Sequence, residues 1–344
     1  MPTTARVVVL EGDFGVCAIQ ELELPDPRPH QAVLEIYAAG IEHGQIHQIE
    51  ESQTLPLIPG REGTARVLAV GSEVTRCKVD DVVLITPWGT DASREVELPV
   101  VEFDDGTETE VSPAGAWGTN LILDEQFILP IPNLLDKEGA AILGNTALFA
   151  FSAVRTAGVG EGDSVAVFGC AGVGLSTIAA AVAAGATTVI AVAREDERLE
   201  VARSVGATET LSLSSTAAME RIAELVPLGV DHLFDCVYEF ETSSRPGQET
   251  VRDAGTAMAV GSPGTEERQE QLDAIVASSG YVLPDPPIAE RDIPILLQWL
   301  EDGRLPLSDI VTFRCTIEQV NEATQMLESG DVVGQAVMVV EPLR

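Results

Sequence analysis

The sequence predicts an α/β protein of two parts, a doubly wound parallel sheet and a β-rich partner. Three observations carry this expectation. Residues 165–193 read as strand, glycine turn, helix and strand within one apolar run. Residues 1–40 and 55–84 show the apolar/polar alternation of short antiparallel strands. A chain of 344 residues is also long for a single hydrophobic core.

In chain order, Pro25, Pro27 and Pro29 break the first strands, and turns fall at Gly60, Gly63 and Gly71. Residues 85–114 form a long charged lobe, and 117–131 return to strand. Residues 136–157 read as one helix, ended by Gly158 as a C-cap. Residues 165–168 are apolar and mostly β-branched or aromatic, as a buried strand requires. The Ala-rich stretch 175–184 is a strong helix former that stops at Gly185, and 189–192 is the second buried strand. A helix is expected over 195–205, strands over 230–236 and 257–261, helices over 293–300 and 317–327, and a closing strand over 337–340.

The glycine turn carries the chemistry. Gly169 permits the tight turn off the strand, while Gly172 and Gly174, on either side of Val173, remove side chains where a helix start must approach a phosphate. The free N–H groups of that helix end attract a pyrophosphate, so the unit reads as dinucleotide-binding. Ala171 stands where the second fingerprint glycine is expected, and its methyl crowds that approach. Gly261, ending the strand 257–261, is counted with the cofactor-binding positions. The run without charge from Asp163 to Arg194 is not read as a membrane span, because glycines and Thr187-Thr188 punctuate it.

The chain holds 55 acidic against 20 basic residues, a net charge of −35, with Lys78 and Lys137 as its lysines. Such a surface repels nucleic acid and anionic membranes. With 45% hydrophobic residues the chain is not a disordered one. Acids spread along a folded chain suggest adaptation to molar salt, where their repulsion is screened. The cysteines, Cys17, Cys77, Cys170, Cys236 and Cys315, are scattered and read as buried free thiols, and the N-terminus lacks an apolar signal segment. Both features lead us to expect a cytoplasmic protein.

FGCAGVGLS, followed by AAGAT and RLEVARSVGATE, resembles the coenzyme half of the medium-chain dehydrogenases/reductases, the alcohol dehydrogenase and quinone reductase superfamily. LIPGREGTARVLAVGSEVTRCKVDDVV at 57–83, GAWGTNLILDEQFILPIP at 115–132 and VNEATQMLESGDVVGQAVMVV at 320–340 extend the resemblance over nearly the whole chain. It implies a GroES-like β-rich catalytic domain over 1–146 and 281–344 and a Rossmann coenzyme domain over 147–280. It also implies an NAD(P)-dependent oxidoreductase acting on a small molecule, and a homo-oligomer is expected. The acidic residue that binds adenosine ribose in NAD enzymes is replaced by Ala193, followed by Arg194. Room and positive charge there favour NADP, with Arg198 as a second contact, while Glu195 keeps NAD possible.

The resemblance also implies a place for a catalytic zinc, which in zinc-dependent members holds the substrate oxygen. Its ligand positions carry Glu42, Arg61 and Asn145 here, without a thiolate or imidazole. The position of the proton-relaying hydroxyl is Gly44, whereas His47 matches the relay histidine. The lobe at 85–114 lacks the cysteines that bind a second zinc in many relatives. No metal is therefore expected. Glu42 and Arg61 are expected to pair through the planar guanidinium fork, with Asn145 satisfying a remaining lone pair or donor. His47, Asn145 and the Trp88 indole are the candidate donors to a substrate oxygen. The expected activity is metal-free hydride transfer to an activated C=C or C=O, as in quinones and enones. An alcohol or polyol dehydrogenase with an altered site, or an NADPH-binding protein without turnover, are the alternatives.

Overall fold

The computed structural model describes residues 3–11, 16–51, 55–90, 94–213, 217–237, 247–261, 270, 273, 276 and 280–340; the side chains of 47, 48, 50, 51 and 217 lie outside that description. Contacts divide the chain into two units. One comprises Met1–Asn145, Ile288–Ile293 and Val311–Arg344; the other comprises Thr146–Pro287 and Pro294–Ile310.

The first unit is organised on a seven-stranded sheet. Its strands lie in the order Val311–Cys315, Gln335–Val339, Gln31–Ile41, Gly63–Val70, Val82–Ile85 and Ile128–Pro130, with Asn120–Asp124 also paired to Gln31–Ile41. In the hairpin Thr3–Leu10 with Cys17–Leu24, the second strand alternates exposed and buried residues while the first buries Val7 to Leu10 in a row, and Val7, Val9, Leu22 and Leu24 join the same core as Leu34, Ile36, Val67 and Trp117. Each such fully buried aliphatic side chain contributes about 1.5–3 kcal/mol. The register sets Ala39, Gly63 and Ile85 side by side across three antiparallel strands. Chain segments 42–44, 61–62 and 86–88 therefore leave the sheet at one edge.

The second unit holds a parallel sheet in the order Glu209–Ser212, Thr188–Ala193, Ser164–Phe168, Val230–Asp235, Val251–Ala259. The strand order reverses between Ser164–Phe168 and Val230–Asp235, which makes that crevice the switch point where doubly wound sheets bind ligands. Val165 to Phe168 are fully buried, which explains their unbroken apolar run. Among the described residues, no helix is long and apolar enough to cross a membrane.

Three expectations change in detail. A return to the first unit at 281 is too early: 281–287 and 294–310 group with the parallel sheet. The backbone of Val282 exchanges hydrogen bonds with Ala257 and Ala259, Trp299 packs edge-on to Phe151 at 5.3 Å, and Arg304 donates to the carbonyl of Ala183. The single helix expected over 136–157 is three pieces, an α-helix Lys137–Ala141, a π-helical turn Leu143–Ala147 and an α-helix Leu148–Ala157. Asp136 caps the first piece, accepting from the N–H groups of Glu138 and Gly139, and Gly158 ends the last at φ +78°. Local propensity does not foretell the π turn, because it answers to packing: a Cβ on Gly144 would lie 2.0 Å from the carbonyl oxygen of Ile85. Of the cysteines, Cys77 is half-buried rather than buried, the other four are buried, and none of the five is in a disulfide.

Candidate functional site

In the second unit the glycine turn has the geometry a dinucleotide requires. Gly169 leaves its strand at φ +89°, a left-handed conformation that favours glycine. A Cβ on Gly174 would lie 1.8 Å from the Gly169 carbonyl oxygen, so no other residue fits there. Ala171 is the N-cap of the helix Gly172–Ala184 and supplies no side-chain cap, which leaves the first helical N–H groups for another acceptor. These residues fit the pyrophosphate of a nicotinamide dinucleotide. The thiol of Cys170, inside the turn, is buried and its pKa is pushed up to about 12 by desolvation, so it does not compete as a reactive group.

Ala193 ends its strand buried, and Arg194 next to it is exposed. Arg198, half-buried on the helix Asp196–Ser204, places Nε 3.4 Å from Glu195 Oε2. The guanidinium thus already partners the carboxylate that kept NAD open. Gly261 is the last residue of its described segment. Val173 is half-buried beside the buried Gly172 and Gly174.

In the first unit the structure gathers the zinc-position residues at one sheet edge. Glu42 sits between the strand Gln31–Ile41 and the helix His43–Glu51. Its carboxylate accepts the N–H of Gly44, and its own backbone N–H donates to Gln45 Oε1 at 2.9 Å. The Gln45 side chain thus reaches back to the residue before the helix as in a capping box, while the Glu42 carboxylate takes the N–H of the second helical residue. Asn145, carried on the π turn, is the hub. Its Nδ2 donates to Glu42 Oε1 at 3.0 Å, its Oδ1 accepts the Trp88 indole N–H at 3.1 Å, and its backbone N–H donates to Glu62 Oε2 at 2.9 Å. Glu62 is fully buried beneath Gly40, where a Cβ would lie 2.4 Å from Glu62 Oε1.

The Glu42–Arg61 pair exists, but not in the expected form. Arg61 Nε stands 3.9 Å from Glu42 Oε1, a long single contact rather than a two-point fork. Burial pushes the Glu42 carboxyl above its ordinary range; the Arg61 charge, the Asn145 amide and the Gly44 N–H pull it back only in part. A guanidinium at that distance does not offset the lost hydration.

Two of the three expected substrate donors are committed elsewhere. The Trp88 indole N–H is spent on Asn145, and Asn145 uses its carbonyl and one amide hydrogen inside the cluster. His47 lies on the helix His43–Glu51, and its side chain falls outside the described residues. Sequence reasoning missed the buried Glu62 contact and the Gln45 cap. The spacing Glu42-x-x-Gln45 was the available signal for the second. The donor set does not suit zinc. It offers two carboxylates, an amide and a guanidinium, and among the described residues no group of three or more His, Cys, Asp or Glu could hold a metal ion.

Residues 28–133 match the alcohol dehydrogenase GroES-like domain, and residues 172–284 match the zinc-binding dehydrogenase family. The chain is 27% identical to the sorbitol dehydrogenase of Bacillus subtilis, with 94% of each chain covered. Among solved structures it is similar to an alcohol dehydrogenase zinc-binding domain protein from Burkholderia ambifaria, with a TM-score of 0.82, 22% identity, and 99% and 100% of the two chains covered. It is also similar to a zinc-binding dehydrogenase from Sinorhizobium meliloti bound to NADP, with a TM-score of 0.78, 21% identity, and 98% and 100% covered.

Proposed function

This chain belongs to the zinc-type alcohol dehydrogenase, or medium-chain dehydrogenase, superfamily, and we propose that it is an NADPH-dependent reductase that transfers hydride to an activated C=C or C=O without zinc. One observation carries the reading: the positions of the metal ligands form a closed polar cluster, Glu42–Asn145–Trp88 with Arg61 beside it. Alcohol oxidation without a metal lacks a strong electrophile for the alkoxide. An enone or quinone is already polarised, and hydrogen bonds suffice to hold its developing negative charge.

When bound, the nicotinamide supplies the hydride. The Gly169–Gly174 turn and the helix start at Gly172 hold its pyrophosphate. Arg194 meets the 2′-phosphate, and Arg198 neutralises Glu195, which would otherwise repel that phosphate. Asn145 holds Glu42 and Trp88 in place rather than touching substrate.

A second reading, alcohol or polyol oxidation at an altered site, is favoured by the similarity to sorbitol dehydrogenase. One experiment separates them. The purified protein is assayed for metal content, titrated with NADPH and NADH, and offered enones, quinones, aldehydes and polyols in molar KCl. Enone or quinone reduction without stoichiometric zinc, and tighter NADPH binding reversed by Arg194→Asp, are expected. One zinc per chain with polyol oxidation would replace this reading with the second. Tight NADPH binding with no turnover would make the chain a binding protein.

A further inference from the structure

We infer that Arg304 is a positioning residue for the dinucleotide: from the far end of the helix Gly172–Ala184 it fixes where that helix lies along its own axis, and with it where the first N–H groups meet the pyrophosphate. This rests on the reading that the chain binds a nicotinamide dinucleotide, and on nothing about the reaction. All the residues involved belong to the second unit.

The helix end that meets the phosphate has little tolerance. No side chain caps it at Ala171, so the pyrophosphate is held by backbone N–H groups whose reach follows the helix axis. Such charge-assisted bonds are short and weaken steeply once aim or distance is lost, and a binding constellation of this kind works within about 0.5 Å. The close fit of Gly174 on the Gly169 carbonyl stops the helix from advancing, but nothing in that contact stops it from withdrawing.

Packing alone specifies the axial position weakly. From Ile178 the helix reads IAAAVAA, and Ala179, Ala180, Ala181 and Ala183 are buried. Methyl groups make shallow ridges, so an alanine face slides along its neighbours more easily than a face of long side chains. Polar ties are few. Among the described residues, the side chains of other elements that make polar contact with this helix are Cys236, with Sγ 4.0 Å from Thr177 Oγ1, and Arg304. The buried Ser176 hydroxyl makes no hydrogen bond among the described residues.

Arg304 makes the firm tie. The N–H groups of Ala186 and Gly185 donate to the carbonyls of Ala181 and Val182, and the next carbonyl, that of Ala183, accepts from the Arg304 guanidinium. Positive charge also suits that end of the helix dipole. The arginine is itself braced. Its Cζ lies 5.2 Å from the centre of the Trp299 ring, and the N–H groups of Arg304 and Leu305 donate to the Trp299 carbonyl at 2.8 and 3.1 Å. Trp299 in turn stands edge-on to Phe151 on the helix Leu148–Ala157. The cofactor helix is thus strutted against its neighbour, roughly 17 Å along the axis from Gly172.

The test compares wild type, Arg304→Met, Arg304→Lys and Trp299→Leu at matched molar KCl. NADPH is the ligand, followed by its affinity and by the phosphorus-31 resonances of the bound cofactor. The control is 2′-AMP, which carries the 2′-phosphate without a pyrophosphate. Arg304 is exposed, so its loss opens no cavity. Arg304→Met should weaken NADPH by about three- to tenfold and move the pyrophosphate resonances, while the 2′-phosphate resonance and the affinity for 2′-AMP stay as in wild type. Arg304→Lys still offers the carbonyl a charged donor and should recover part of the affinity; Trp299→Leu should move the same signals by less. Unchanged NADPH affinity and pyrophosphate resonances in Arg304→Met, even with a lowered Tm, would reduce Arg304 to a helix cap and overturn the inference. Equal losses of NADPH and 2′-AMP would mean that the whole unit loosens, and overturn it too. Should Arg304→Met not fold, wild-type pyrophosphate resonances in both other variants reject the inference. A wild type that binds neither NADPH nor NADH sinks the cofactor reading itself.

Discussion

The lobe at 85–114 and the cluster around Asn145 are the two places where zinc-dependent relatives hold metals, and they are built in opposite ways. The lobe folds as a small hairpin, Val100–Glu102 with Glu108–Glu110. Val101, Phe103 and Val111 are buried in the unit's main core, while Glu102, Asp104, Asp105, Glu108 and Glu110 face solvent. It is tied to the rest of the unit by Arg28 to Glu97, by Arg94 to the buried Asp124, and by the Thr109 and Ser112 hydroxyls, which donate to the carbonyls of Pro56 and Ile58. The cluster, by contrast, buries Glu42, Glu62 and Asn145 and keeps them polar. A metal that only holds a loop can be replaced by apolar burial, which is the cheaper structure. Buried charges and amides cost stability, so a place that keeps them next to an accessible guanidinium is better explained by chemistry than by folding.

Salt gives the largest effect and separates the two regions. Net charge −35 is unscreened at low ionic strength, and the lobe presents five exposed acids on one short hairpin. Raising KCl from about 0.1 M to about 2 M should raise Tm by about 10 °C or more. Hydrogen exchange at low salt should loosen the hairpin before the π turn. A flat Tm over that range would remove the salt-adaptation reading.

Phe103→Ala comes next. The side chain is buried in the main core, and its loss should cost about 3–5 kcal/mol in chemical unfolding. Enone turnover per folded molecule should not change, because the lobe's role is packing. A large fall in kcat with little loss of stability would break the contrast between the regions.

Asn145→Ala should cost less stability, about 2–4 kcal/mol, by stranding the Trp88 indole and the Glu42 carboxylate. It should also shift Trp88 emission and depress kcat, since Glu42 and Trp88 lose the group that holds them. A variant with wild-type kcat and emission would mean the hub is not assembled in solution.

How much of this was legible in the chain follows from the range of the forces involved. The parallel sheet was readable because buried strands, Gly169, Gly174 and the Gly185 cap are local signals. Glu42 meets Asn145 and Arg61 as expected, because the resemblance placed all three at one metal's ligand positions. The form of their hydrogen bonding was not expected. Whether Arg61 forms a fork or a 3.9 Å contact depends on backbone positions that only packing sets. Likewise the π turn that aims Asn145 exists because Gly144 closes on Ile85, a contact between residues far apart in sequence. The fate of Trp88 as an internal donor follows from that turn.

The smallest effect tests whether Glu42 is a poised acid or half of an ion pair. Burial raises its carboxyl pKa above the unfolded value, with Arg61, Asn145 and Gly44 opposing. A raised folded pKa means the native state holds a proton that the unfolded chain has already released. The Glu42 contribution is therefore fully present below the unfolded carboxylate range and is lost as pH rises through the folded value. Glu42→Gln mimics the protonated form and still accepts the Asn145 amide, so it cannot lose stability by this route. The variant should match wild type near pH 4 and become the more stable of the two toward about pH 8, by about 1.4 kcal/mol for each unit the folded pKa is raised. The comparison cancels the repulsion of the other acids, which both proteins share. An ion-paired Glu42 gives the opposite sign, with Glu42→Gln losing stability as pH rises. Unfolding curves for the two proteins at matched high salt would decide between them.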